Sequence, residues 1–390
     1  MPRCAFALAV LTLAGWMSAF GPGGRPAAGA AQGRAQSPPA HLRVDSGFIG
    51  PDAGRFVWRG VSAFRLAELI TRGRISEVEA YLDWAASQRL TVVRVFAMAH
   101  HLFRLGPDEG RAALPTLLDL AAARGLHVEI VALVDTAEIE VDLDAHVRAV
   151  GEIAARHSNA LVEIANEPGH PTQRPAVHRP ERLRALAAFV PERVPVALGS
   201  VEYGSELAAG DYVTFHPPRD AGDGGWGHVL RLADGAGLLK RFGKPLVSDE
   251  PIGAGPRFVA GRRDDSPARF AAAAALTRLA GIHPTFHYEG GLHAIRPIGR
   301  EIECFGAWTR GLDLTAGVPD DRGDFLAADR LGSLAQVGGA RAAFGRVAGD
   351  DGWVLAVDPA DEVSIAWAPR WRGVDVLSAP GVRLFHGRRQ

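Results

Sequence analysis

The feature that most limits what this chain can fold into is a rhythm. From about residue 43, short apolar runs rich in β-branched residues alternate with longer stretches of helical periodicity. The runs are Phe56-Val57-Trp58 leading into Arg59-Gly60-Val61-Ser62, then 91–96, 127–134, 161–165, 194–198, 212–215, 245–247 and 284–288. Between them the spacing predicts helices over 76–89, 111–124, 143–157, 181–189, 228–242 and 266–280. Strands that are apolar on both faces belong to a parallel sheet covered by helices. Eight of them over roughly 250 residues suit a closed (β/α)8 TIM barrel of the α/β class better than an open sheet. An open doubly wound sheet would need a phosphate-binding loop after its first strand, and Gly60-Val61-Ser62-Ala63-Phe64 is not one. The barrel is placed over residues 43–312.

The flanks read differently. Met1-Pro2-Arg3, the apolar stretch 4–20 and Ala28-Gly29-Ala30 make a signal-peptide pattern over 1–30. The apolar stretch is marginal for a membrane span, which takes about 20 residues. The expectation is therefore a secreted or periplasmic protein with no membrane attachment after cleavage. Residues 31–42 then serve as a flexible lead-in. Cleavage removes Cys4 and leaves Cys304 alone, so no intramolecular disulfide is expected. After 312 the texture shifts to alternating runs, Trp353–Val357 and Val363–Trp367, with turn signals at Gly349-Asp350-Asp351-Gly352 and Asp358-Pro359. Residues 313–390 are expected to be a linker and a small antiparallel β module, with Trp367 and Trp371 as packing residues in preference to sugar-stacking ones. A formal net charge of -1 with no basic stripe argues against nucleic acid as a partner.

In an α/β barrel the functional groups sit at the C-terminal ends of the strands. Those ends carry Arg94 with His100-His101, Asp135, Asn166-Glu167-Pro168, Glu202-Tyr203, His216-Pro217-Pro218, Asp249-Glu250-Pro251 and His287-Tyr288-Glu289. Two carboxylates facing one pocket are what glycoside hydrolysis needs: one protonates the leaving oxygen, the other attacks the anomeric carbon or activates water. Glu163 shares a strand face with Glu167 but lies roughly 13 Å deeper, so it is expected in the lumen, paired with a charge. Asp249, next to Glu250, is expected to point away from the lumen. Trp226, in the loop Gly224-Gly225-Trp226-Gly227, either stacks on a sugar or pins the loop. The histidine pairs fit no zinc pattern, and the chemistry requires neither a metal nor a cofactor.

The strand-4 segment Leu161-Val162-Glu163-Ile164-Ala165-Asn166-Glu167-Pro168 resembles that of clan A glycoside hydrolases, family 5 (the cellulase-like family) in particular. The resemblance implies that Glu167 is the general acid/base and that Asn166 binds the sugar 2-hydroxyl. Pro245-Leu246-Val247-Ser248-Asp249-Glu250 is similar to the strand-7 segment carrying the nucleophile. Arg94 matches the strand-2 arginine and His216 the strand-6 histidine; the opening Gly47-Phe48, Phe56 and Arg59–Ser62 also resembles the family. Two features depart from it. Strand 6 reads His216-Pro217-Pro218 where the family has His-x-Tyr, and no tryptophan lies between 281 and 300, where strand 8 normally supplies one. Tyr203 is the candidate to replace the tyrosine, and His287 or Tyr288 the tryptophan.

These residues together lead to a retaining glycosidase acting on an oligosaccharide or polysaccharide. Glu250 is the nucleophile and Glu167 the acid/base of raised pKa, with Arg94, His100, His101, Asn166, Tyr203, His216, Trp226, His287 and Tyr288 around the sugar. Retention expects carboxyl groups about 5–5.5 Å apart, inversion about 6.5–9.5 Å. The alternatives are a carbohydrate-binding barrel without catalysis and a transglycosylase. A non-sugar esterase or amidase ranks last, because no Gly-x-Ser-x-Gly elbow is present. The loops 168–180 and 251–265 are expected to set specificity.

Overall fold

The computed structural model describes residues 41–50, 52–201, 209–217, 225–252, 264–319 and 323–390. The expected signal peptide, Tyr203 and most of the 251–265 loop lie outside them. Eight parallel strands close into a barrel: β1 (Gly60–Ser62), β2 (Val92–Phe96), β3 (His127–Leu133), β4 (Ala160–Ala165), β5 (Val196–Val201), β6 (Val213–Phe215), β7 (Leu246–Ser248) and β8 (His283–Phe286). Each falls on one of the eight apolar runs. Among the described residues no helix is long and apolar enough to cross a membrane.

The register explains what fills the barrel. Ser62 pairs with Arg94, Arg94 with Glu129, and Val131 with Glu163. Side chains alternate along a strand, so one set faces the lumen and the next faces the helices. Val93, Val95, Ile130, Val162 and Ile164 face out and join the large core beneath the helices. At the N-terminal end of the lumen, Trp58, Val92, Leu161, Ala197, Tyr212 and Val247 form a separate apolar plug. Phe48 closes it from a hairpin that pairs Arg43–Val44 with Phe48–Ile49. Above this floor, the inward positions turn polar.

The helices are α1 (Leu66–Thr71), α2 (Ile75–Ser87), α3 (His100–Phe103), α4 (Pro107–Ala122), α5 (Leu143–Ala155), α6 (Pro180–Ala187), α7 (Asp234–Phe242), α8 (Pro267–Leu279) and α9 (Arg300–Leu314). Local chemistry starts two of them. The Asp142 carboxylate accepts the N–H groups of Asp144 and Ala145 at α5, and Ser266 caps α8 ahead of Pro267. Helix α8 is buried almost all round because it lies between the barrel and the C-terminal sheet, where the Arg346 guanidinium donates to the Leu279 carbonyl at 2.9 Å.

The barrel's last helix, α9, runs two residues past the expected boundary at 312. The C-terminal sheet is antiparallel, in the order β9 (Asp324–Leu326), β10 (Ala335–Ala348), β11 (Asp351–Trp367), β13 (Val382–Arg389), β12 (Trp371–Ala379). Asp358-Pro359 does not end a strand. Strand β11 runs through it, with Asp358 in the left-handed region at φ 48° to absorb the irregularity. Trp371 is buried in the module's own core, and Trp367 packs over Gly373 and Gly387, where a Cβ would meet the indole at 2.8 and 2.7 Å. Both tryptophans are packing residues, as expected.

Gly110 of α4 seats that helix on the end of β2: a Cβ there would lie 1.6 Å from the Ala97 carbonyl oxygen. Gly110→Ala is expected to lower stability by about 1–3 kcal/mol through overpacking. Gly237→Ala in α7, where nothing lies within 4 Å, is expected to raise it by roughly 0.5–1 kcal/mol. Denaturant unfolding of both variants checks the pair.

Candidate active site

Arg94 organises the polar layer above the plug. Its backbone position in β2 turns it inward, and its side chain is 1% exposed. A guanidinium without water must find acceptors on every edge. Nη1 donates to Glu250 Oε1 at 2.7 Å, Nη2 to Glu163 Oε2 at 2.8 Å and to Asn166 Oδ1 at 2.9 Å. Nε lies 3.1 Å from both Glu163 Oε2 and Asp249 Oδ2, and 3.9 Å from Glu129 Oε2. Phe64 and Phe96 flank its face, with centroids at 5.2 and 5.7 Å. Burial opposes this charge, but the four surrounding carboxylates outweigh it and raise the Arg94 pKa further.

Below Arg94, burial and neighbouring carboxylates raise the Glu129 pKa well above the usual range, so this carboxyl holds a proton; its Oε1 accepts from the Tyr212 hydroxyl at 2.9 Å. Burial also lifts Glu163, to about 7, with Arg94 pulling the other way. Glu163 is thus the paired luminal group expected from its place in the strand, with Thr214 Oγ1 as a second partner at 3.2 Å.

Strand β4 stops at Ala165, and the chain turns sharply. Glu167 has φ 41°, a left-handed conformation that costs a non-glycine residue about 1–3 kcal/mol. Gln173 holds the turn. It is 2% exposed, and its Nε2 donates to the Asn166 carbonyl at 2.7 Å and the Leu133 carbonyl at 3.1 Å. Its Oε1 accepts from Thr136 Oγ1 at 2.7 Å. The Asn166 carbonyl belongs to the peptide whose orientation sets the Glu167 φ, so Gln173 fixes how Glu167 enters the mouth. It also ties this turn to the one after β3, where Asp135 is likewise left-handed at φ 54°.

His216 follows β6. Its Nδ1 lies 3.2 Å from Glu167 Oε1, and its Nε2 lies 3.1 Å from Asp249 Oδ1 and 3.9 Å from Glu250 Oε1. Burial would lower its pKa, but Asp249 and Glu250 prevail and push it up to about 10. With Asp249 on Nε2 and Glu250 nearby, the charged ring is favoured. His287 completes the set: its Nδ1 is 2.7 Å from Ser62 Oγ, and its Nε2 is 3.8 Å from Glu250 Oε2.

Arg94, Asn166, Glu167, His216, Glu250 and His287 therefore come together as the sequence predicts. Other expected members go elsewhere. The Tyr288 side chain is fully buried with its hydroxyl donating to the Ile295 carbonyl at 2.6 Å and 3.0 Å from the Tyr81 hydroxyl, so it does not stand in for the strand-8 tryptophan. It follows His287, and neighbours in an extended chain point opposite ways. Trp226 is buried in the main core. His100 is half-buried and His101 exposed on α3, where His101 acts electrostatically on Asp135.

Asp249 corrects an expectation: it points into the lumen, not away from it. Val247, two residues earlier, belongs to the luminal plug, and alternation carries Asp249 to the same side. Glu250 also reaches Arg94 because β7 ends at Ser248 and alternation ends with it. The pairing of Val247 with Asp249 is the signal that would have located this residue. Gln173 and Ser62 left no comparable signal.

One oxygen each of Glu167 and Glu250 and a nitrogen of His216 lie within 4.8 Å of one another, close enough to hold a metal ion. The chemistry of the donors disfavours it. Arg94 already supplies a cation to Glu250, and an ion here would have to displace a proton from His216. Gln173→Leu is expected to cost about 1–3 kcal/mol from the buried groups left without partners. A crystal structure of that variant is expected to show Glu167 returned to negative φ; an unchanged turn would mean the loop holds itself.

No protein-family model matches the sequence, and no curated protein matches it. Solved structures do match in fold. One described as a glycoside hydrolase has a TM-score of 0.58 at 15% identity, covering 90% of this chain and 97% of its own. A glycoside hydrolase family 5 structure from Bacteroides vulgatus ATCC 8482 has a TM-score of 0.60 at 12% identity, covering 90% of this chain and 94% of its own. Such coverage runs past the barrel into the C-terminal sheet. The chain thus shares with these glycoside hydrolases a (β/α)8 barrel followed by an antiparallel sheet.

Proposed function

We propose that the protein is a retaining glycoside hydrolase in which Glu250 is the nucleophile and Glu167 the general acid/base. The observation that carries this reading is the asymmetry of the two carboxylates. Glu250 is 5% exposed and accepts from Arg94, which favours the anion needed for attack. Glu167 stands 37% exposed at the mouth, where a leaving group can depart. Oxygens of the two lie within 4.8 Å, which fits the spacing of about 5–5.5 Å used for retention and leaves little room for the water of an inverting pair.

In the first step a Glu250 oxygen bonds to the anomeric carbon as the glycosidic C–O bond breaks, and Glu167 passes its proton to the departing oxygen. In the second, Glu167 takes a proton from water, the hydroxyl bonds to the anomeric carbon, and Glu250 leaves as carboxylate. Arg94 holds the Asn166 side-chain oxygen, which orients that amide and leaves its amino group to donate to a sugar hydroxyl. His216 places a positive charge beside Glu167 each time Glu167 becomes an anion. His287 occupies the strand-8 position where the family has tryptophan. Export belongs to the same reading and rests on residues 1–30 alone.

Glu250 must be ionised and Glu167 protonated at the start, so kcat/KM falls at low pH as Glu250 gains a proton and at high pH as Glu167 loses its own. Glu167→Gln is expected to lower kcat about 10²–10⁴-fold on substrates with poor leaving groups and to remove the alkaline limb. Glu250→Ala is expected to be inactive on a panel of aryl β-glycosides and polysaccharides, and added azide to restore turnover as a glycosyl azide of inverted configuration. Undiminished activity in Glu250→Ala would contradict the assignment. Binding of oligosaccharide by wild type with no turnover on any substrate would point to a binding barrel instead.

A further inference from the structure

We propose that Asp249 is a positioning residue that keeps His216 in its cationic form, and through His216 supports the ionised state of Glu167; the catalytic half of this inference rests on the retaining-hydrolase reading. Asp249 has no exposed surface and stands between the site's two cations, 3.1 Å from Arg94 Nε and 3.1 Å from His216 Nε2. Each of its oxygens thus faces one cation, Oδ2 toward Arg94 and Oδ1 toward His216. A carboxylate taken so far from water persists only beside cations, and the cations in turn lean on it. Its place in the lumen is fixed by the pleat of β7, not by the flexible mouth. Arg94 donates to Glu250 at 2.7 Å, and Asp249 is the anion that Arg94 shares with His216.

The charges facing His216 come from three strands. Asp249 and Glu250 approach from the end of β7, Glu167 and Glu163 from β4, and Arg94 from β2. Burial keeps a proton on Glu129 and lifts Glu163 to about 7. Below that pH, Asp249 and Glu250 are the carboxylates left to balance Arg94 and His216 while Glu167 is protonated. When the first step turns Glu250 into a neutral ester and Glu167 into an anion, Asp249 and Glu167 balance the same two cations. The site's net charge is unchanged across the step, and the two anions and two cations stay balanced while His216 is charged. Burial opposes that charge, and Asp249 is its largest support.

The test is histidine ¹H–¹⁵N NMR of the whole protein across pH, with the His216 signal assigned by its loss in His216→Gln. In wild type the ring is expected to remain an imidazolium up to roughly pH 9. In Asp249→Asn its midpoint is expected to fall by roughly two to three units, and in Asp249→Glu to stay high. The alkaline limb of kcat/KM, set by Glu167, is expected to move to higher pH in Asp249→Asn, because a His216 that has lost its charge no longer favours the Glu167 anion 3.2 Å away. A wild-type His216 that titrates near its ordinary value overturns the proposal whether or not the variants fold. So does a folded Asp249→Asn in which His216 still titrates as in wild type, or one whose midpoint falls while the limb stays in place. If no substrate turns over at all, the hydrolase reading fails separately, and the NMR titration still decides whether Asp249 controls His216.

Discussion

A single buried guanidinium sets the terms for the upper half of this barrel. Arg94 cannot be left without acceptors in a dry lumen, and the carboxylates around it cannot be left without a cation. Glu163, Asp249 and Glu250 reach it from two strands, and Asn166 joins from the turn after one of them. Such a cluster is costly to bury and gains little stability for its cost. Its use is geometric: it fixes the ends of β4 and β7 relative to each other, and those ends carry Glu167 and Glu250.

The layers beneath and around it make this possible. The apolar plug keeps water from entering at the floor, and Phe64 and Phe96 shield Arg94 from the side. Excess negative charge is handled by proton uptake on Glu129 and by the second cation, His216. The left-handed turn at Glu167 is the other strained element, and Gln173 holds it with hydrogen bonds to two neighbouring strand ends. Strain at the mouth is thus supported by rigid secondary structure, as a reactive group needs.

The barrel was legible because buried parallel strands must be apolar on both faces, and eight of them with no phosphate loop after the first suit a closed barrel better than an open sheet. Arg94 stood out as a charge inside a β-branched run, and Glu167 as a carboxylate with Asn166 and Pro168 at a strand end. What escaped did so where alternation breaks down. At the end of β7 two successive acids both reach the lumen, and after β8 only the first of His287 and Tyr288 stays in the site. Helix α9 went unassigned because its apolar stripe is thin, interrupted by Gly306 and Gly311. The C-terminal strands were seen as short because Asp358-Pro359 reads as a turn, whereas the ladder to β10 carries β11 across it. Gln173 could not be read at all, since its role depends on the Leu133 carbonyl and the Thr136 hydroxyl, both far away in sequence, as well as on the nearby Asn166 carbonyl.

The central claim is that Glu250, held by Arg94, bonds covalently to the sugar. The most direct measurement is mass spectrometry of the intact protein and its peptides after incubation with activated 2-deoxy-2-fluoro-β-glycosides, which slow the second step. The account expects one glycosyl adduct, carried by Glu250. An adduct on Asp249 or Glu167, or turnover of the parent glycosides with no adduct from their fluorinated forms and inverted product, would contradict it.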